Sequence, residues 1–281
     1  MSQFLKNLLR GTEFVTDGAN QSWMNSYYDN VGSRVEGAET GTVRMMLTGQ
    51  VFALMGGVAD TAQAAAIARA ADWYLDAPLR GGYCLNTDFG DFDAAPPLGR
   101  QFGFAYGHKE NGAVFSHMAV MYAFALYSRG MAAQGERVLE ELYRQSLAFE
   151  TAQIYPGIPE YFDPRGRGMY PYLTGAASWL VYCLLCQSYG ARGRYGDLLL
   201  APQLTPQQFD ENGVAAVSFR FAGREIALRY HNPAALAPGQ YHAARANLSS
   251  GETYTAADGT LCIPRGALCG SGALAIDVDL A

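Results

Sequence analysis

The residue pattern predicts a mostly α chain: part of a double-layered helical toroid, followed by a small β-sandwich-like module. Three observations predict it. Helical segments that are apolar around most of their circumference alternate, up to about residue 195, with amphipathic ones. Segments of the first kind belong inside other helices, and segments of the second kind belong outside them. From Gly196 the apolar period changes to two, the mark of strands.

Taken in order, 42–58 reads as an inner helix, with Met45, Met46, Val51, Phe52, Leu54 and Met55 spread around it. Asp60 is placed to cap an Ala-rich outer helix that runs to about Leu75 and stops before Pro78. The alternation then recurs. The segment 113–128 is apolar nearly all round, and 134–147 carries Glu136, Arg137, Glu140, Glu141 and Arg144. The segment 175–189 is apolar again, which makes about half of a closed toroid. In the tail, Val217-Ser218-Phe219-Arg220-Phe221 and 225–230 alternate on either side of Ala222-Gly223, a hairpin signature. Further short strands are expected at 198–201, 260–264 and 274–278. The boundary near Arg194 divides the chain into a helical domain, 1–195, and a β module, 196–281.

Composition narrows the function classes. A net charge of −6 argues against a nucleic-acid or anionic-membrane surface, which needs clustered Lys and Arg. It leaves room for one bound phosphate, which needs only a few local donors. The 18 tyrosines suit a carbohydrate cleft, where rings stack on sugar faces, and equally a large helical core. Five cysteines without regular spacing suggest no disulfide framework, and Cys183 and Cys186 read as buried small hydrophobes. No Cys/His set has zinc-like spacing. The first ten residues are too short and too charged for a signal-peptide core, and no apolar stretch is long enough to span a bilayer, so a cytoplasmic protein is expected.

Two glycine-edged polar segments run straight into apolar helices. The first is Gly107-His108-Lys109-Glu110-Asn111-Gly112, followed by His117 five residues on. The second is Arg165-Gly166-Arg167-Gly168-Met169-Tyr170-Pro171-Tyr172-Leu173-Thr174-Gly175. Each brings free backbone N–H donors to a helix N-terminus, where an oxyanion or a sugar can be held. His117 could donate to a phosphate oxygen, or be a hydrogen-bonded core residue. Thr174 could do the same, or simply cap its own helix. Gly175 permits close backbone approach. Lys109 and Glu110 read either as solvated surface or, in a cleft, as a grip on sugar hydroxyls. Glu160 and Tyr161 offer a similar carboxylate and ring. Asp88, Asp91 and Asp93 read as a solvated turn.

Lys109-Glu110-Asn111-Gly112 with His117, together with Tyr172-Leu173-Thr174-Gly175-Ala176-Ala177-Ser178-Trp179, resembles the two strongest motifs of the catalytic half of the glycoside hydrolase family 94 phosphorylases. The segments 22–30, 50–59 and 157–161 resemble the family as well, so the likeness covers about residues 20 to 205. It implies part of an (α/α)6 barrel. It also implies an inverting glycoside phosphorylase, a glycosyltransferase-type enzyme that cleaves a β-glucoside with inorganic phosphate to give α-glucose 1-phosphate. By the resemblance His117, Thr174 and Gly175 hold phosphate, while Lys109 and Glu110 line the sugar subsites; Glu160 and Tyr161 are expected to bind substrate beside them. The motif wording leans towards β-1,2-linked glucose oligomers, with cellobiose-type substrates as the other candidate.

The expected partners are a β-glucan oligosaccharide and phosphate, with no further cofactor, no metal, no nucleic acid and no membrane; a homodimer is left open. The family's general acid is the Asp of a Trp-Asn-Asp motif, and this chain has only Trp23-Met24-Asn25 and Asp72-Trp73. No catalytic residue is therefore assigned. The expectation is a C-terminal part of a longer enzyme, inactive by itself and lacking its N-terminal half. Two alternatives stay open: a helical-toroid hydrolase using Glu110 and Glu160, and a non-catalytic carbohydrate-binding protein.

Overall fold

The computed structural model describes residues 2–38, 41–90, 98–154, 157–171 and 175–281. The chain divides into two compact units, Met1–Leu180 and Val181–Ala281.

In the first unit, α1 (Gln3–Thr12) leads into a hairpin of β1 (Phe14–Thr16) and β2 (Ser22–Met24), which buries Trp23 completely. Next comes α2 (Leu47–Met55), burying Leu47, Gln50, Val51, Ala53 and Leu54. The helix α3 (Thr61–Tyr74) starts at a reciprocal cap: the Asp60 side chain accepts from Gln63 N at 2.9 Å, and Gln63 Oε1 accepts from Asp60 N at 3.3 Å. A small hairpin of β3 (Asp76–Ala77) and β4 (Gly82–Tyr83) follows. The strand β5 (Val114–Phe115) runs without a break into α4 (Ser116–Ser128). Residues Ala119 to Ala123 and Ala125 to Tyr127 of α4 are all buried, as its all-round apolar composition requires. The amphipathic α5 (Ala132–Leu147) turns Val138, Leu139 and Leu142 inward and is followed by α6 (Phe149–Ala152). The strands β6 (Tyr161–Phe162) and β7 (Gly168–Met169) complete an antiparallel three-stranded sheet, in the order β5-β6-β7. The helix α7 (Gly175–Cys183) opens after that sheet in the first unit and ends in the second, where it passes into a π turn, Leu184–Ser188.

The second unit is a β structure. Its strands β8 (Ala191–Arg194), β9 (Asp197–Leu200), β10 (Val214–Phe221), β11 (Arg224–His231), β12 (Ala243–Leu248), β13 (Thr253–Thr255), β14 (Leu261–Ile263) and β15 (Leu274–Leu280) form two sheets. One is five-stranded, in the order β10-β11-β15-β12-β13, and the other is three-stranded, β14-β9-β8. The β10–β11 hairpin turns at Ala222 (φ 52°) and Gly223 (φ 83°), two consecutive left-handed residues, as a two-residue hairpin loop requires. Alternate residues of both sheets, among them Leu198, Leu200, Ile226, Leu228, Leu261, Ile263, Ile276 and Val278, make one core.

The expectation of a mostly α chain, part of an (α/α)6 barrel with a small β module, is overturned. Helix accounts for about 35% and strand for about 26%, in five sheets among the described residues. Two physical causes stand behind the error. Segments that read as polar connections between helices zip into two- and three-residue strands, too short to show a period of two. The strands after Gly190 also extend beyond their alternating cores, β10 by three residues and β15 by two. No helix of the described residues is long and apolar enough to cross a membrane.

Candidate functional site

The segment 107–112 is a tight turn closed by Gly107 N donating to Asn111 O at 2.7 Å and by Asn111 N donating to His108 O at 3.0 Å. Asn86, wholly buried, holds the turn from outside. Its Oδ1 accepts from Gly112 N at 2.8 Å, and its Nδ2 donates to Asn111 Oδ1 at 3.1 Å. Gly112 has φ 72°, and a Cβ there would enter the Tyr106 ring, so the close approach depends on glycine. The turn leaves Lys109 left-handed (φ 51°), with its ammonium 3.0 Å from Glu160 Oε2 and 3.5 Å above the Tyr170 ring centroid. Tyr161 lies 5.7 Å from the same ammonium. Tyr170 is left-handed too, at φ 60°. Backbones of this kind on non-glycine residues cost about 1–3 kcal/mol each and gather at ligand clamps.

The Glu160 side comes from the β6–β7 hairpin. Asp163 accepts through one Oδ1 from Arg165 N at 2.8 Å and Arg167 N at 3.0 Å, while Gln145 Nε2 donates to Gly166 O at 2.7 Å. That folds the chain back so that Glu160 O accepts from Ser116 N at 2.9 Å. Phe115 and Tyr161, cross-strand neighbours, stack within 3° of parallel. The lysine–carboxylate–tyrosine group therefore abuts the first turn of α4.

In that first turn stands His117. A Cβ on Gly175 would lie 2.6 Å from its Cε1 and 2.7 Å from its Nδ1, so the imidazole is seated directly against the opening residue of α7. Trp179, one turn further along α7, has its ring centroid 5.9 Å from the imidazole. His117 Nε2 is sealed from solvent and has no hydrogen-bond partner among the described residues; nor has the Oγ of Ser116 beside it. No side chain caps α4. Gly175, first in its helix, carries an N–H that has no intrahelical acceptor. An unpartnered imidazole nitrogen beside a helix N-terminus has the chemistry to donate to an oxyanion oxygen.

The electrostatics differ between the two groups. Burial pushes the His117 pKa below the ordinary histidine value, so the ring is neutral at pH 7. Burial also works against the charge on Lys109, but Glu160 and then Tyr170 outweigh it and hold its pKa above the usual lysine value. No group of three or more His, Cys, Asp or Glu side chains among the described residues is arranged to hold a metal ion.

Of the residues singled out from the motifs, His117 and Gly175 come together, and Lys109, Glu160 and Tyr161 form a second group. Glu110 does not join them; it faces Arg100 at 3.4 Å. Thr174, Tyr172, Leu173, Asp91 and Asp93 lie outside the described residues. Motif reading missed the contact role of Tyr170, although the residue sits inside a quoted segment, because only its unusual φ brings the ring under Lys109. It also missed Asn86, whose bonds reach 25 residues along the chain to Asn111 and leave no local signal.

A family model described as the glycosyl hydrolase 94 superfamily, catalytic domain, matches residues 12–189. A solabiose phosphorylase from Paenibacillus borealis is 24% identical to this chain over 207 residues, which is 69% of this chain and 26% of the relative. The chain thus spans about a quarter of the length of that curated relative.

Proposed function

Because this chain belongs to the glycosyl hydrolase 94 superfamily, we propose that it carries the phosphate-holding side of a glycoside phosphorylase active site. The observation that supports this best is the seating of His117, its Nε2 unpartnered, against Gly175. Phosphate is already a charged nucleophile, so the protein has to position it rather than deprotonate a water. His117 Nε2 and the Gly175 N–H donate to one phosphate oxygen or to neighbouring ones, and Thr174 supplies a hydroxyl. Lys109 and Glu160, with the rings of Tyr161 and Tyr170, hold the sugar, whose hydroxyls take paired donors and acceptors. Phosphate then displaces the leaving oxygen at the anomeric carbon with inversion, giving α-glucose 1-phosphate from a β-glucan oligosaccharide. An inverting displacement also needs one carboxylic acid to protonate that oxygen. The sequence holds no Trp-Asn-Asp, and in this reading the acid comes from residues outside these 281. The relative's name adds solabiose to the candidate disaccharides beside β-1,2-linked and cellobiose-type ones. A hydrolase reading draws no support, since both of its candidate carboxylates, Glu110 and Glu160, are engaged in ion pairs.

The imidazole supplies the test. In the free protein burial holds His117 neutral, and a bound anion favours the imidazolium, so anion binding must raise its pKa. Sulfate keeps one charge state throughout the range and serves as the probe. Its affinity is expected to rise as pH falls from about 8 to about 6, while the His117 ring resonance, assigned with a His117→Gln variant, titrates at a higher pH in saturating sulfate. An imidazole resonance indifferent to sulfate would remove the phosphate assignment.

A further inference from the structure

We infer a second oxyanion site, built by Lys6, Arg10 and Arg129 around Gly57 at the C-terminal end of α2. It uses no residue of the site proposed above and does not rest on that reading.

Two separate stretches of chain bring three half-buried cations to one place. Lys6 and Arg10 lie on α1, and Arg129 follows α4 directly. Arg10 Nε donates to Val58 O, its Nη2 donates to Gly57 O at 3.3 Å, and Arg129 Nη2 donates to Ala59 O at 3.0 Å. These bonds fix both guanidinium planes against the chain leaving α2. They leave the Lys6 ammonium and Arg129 Nη1 without a partner among the described residues.

Gly57 is left-handed, at φ 60°, and a Cβ there would lie 3.2 Å from Lys6 Nζ and 3.7 Å from Arg129 Nη1. With no side chain present, both nitrogens approach the bare Cα of Gly57, and neither spends a donor on another group among the described residues. No carboxylate among the described residues is within ion-pair distance of any of the three cations. The Gly57, Val58 and Ala59 carbonyls that the guanidinium groups hold carry no formal charge, and the end of a helix offers only roughly half a negative charge, so a surplus of more than two positive charges is left. A chain whose net charge is −6 could have placed a carboxylate here and has not. A doubly charged tetrahedral oxyanion, inorganic phosphate being the simplest, matches both the surplus and the donor arrangement.

The test is a calorimetric titration of the full chain with inorganic phosphate at constant ionic strength, in a His117→Ala background that disables the other site. One binding event is expected. Lys6→Gln should weaken it at least about tenfold, and Lys6→Arg should restore most of it. Arg129→Gln should weaken it similarly, and circular dichroism confirms that each variant is folded. Absence of binding in the His117→Ala chain would overturn the inference, as would a Lys6→Gln affinity within about twofold of the parent. Neither result bears on the His117 resonance, so failure here is distinguishable from failure of the proposed function.

Discussion

A methyl group added at Gly175 would lie 2.6 Å from His117 Cε1, and nothing soft stands between them. The ring, flanked by Trp179 on its other contact, would have to move, or α7 would. Gly175→Ala is therefore expected to lower stability by about 1–3 kcal/mol in denaturant titration, as overpacking does. It should also abolish the sulfate response of the His117 resonance. A variant that keeps both properties would show that the imidazole does not need the glycine. The same scale shows what could be read from the residues. The places of His117 and Gly175 at helix starts were legible, one following a glycine-edged motif and the other closing one. The split between Lys109 and Glu110 was not. Both sit in one turn, and only its left-handed residue aims the lysine at Glu160 while the neighbouring glutamate meets Arg100.

The helix α3 shows how completely an element can be written in local sequence. Asp60 and Gln63 close a reciprocal cap, and the interior is nearly continuous helix-forming Ala. Asp60→Ala is expected to cost about 1 kcal/mol, measured as a lower denaturation midpoint without change of slope. No shift in midpoint would mean that packing, rather than the cap, sets where α3 begins. The helix α4 was readable from its all-round apolarity and α5 from its one-sided pattern. The sheet β5-β6-β7 was not readable, because two residues per strand show no alternation. Its pairing rests on long-range backbone bonds, such as Ser116 N to Glu160 O, that no local pattern encodes.

Across the whole molecule, one buried carboxyl links stability to pH. Glu36 is 4% exposed, and burial pushes its pKa from 4.5 up to about 7, against hydrogen bonds from Ser26 and Met46 that pull it down. The folded chain then holds a proton that the unfolded chain releases. Its contribution to stability is full below about pH 4.5, declines as pH rises to about 7, and is flat above; the loss is up to about 3 kcal/mol. Comparing wild type with Glu36→Gln by urea unfolding across that range should show the slope only in wild type. Parallel curves would mean that Glu36 ionises no differently in the folded chain.

The sequence by itself determined the family motifs, the position of most helices and the hairpin around Ala222-Gly223. These depend on period, capping and turn chemistry within a few residues. Tertiary structure decided the mixed α and β character, the partners of Lys109 and Glu110, and the meeting of an imidazole on α4 with the first residue of α7. Those features are distances between residues far apart in the chain, and they acquire values only when burial of the apolar helix faces brings the loops into register.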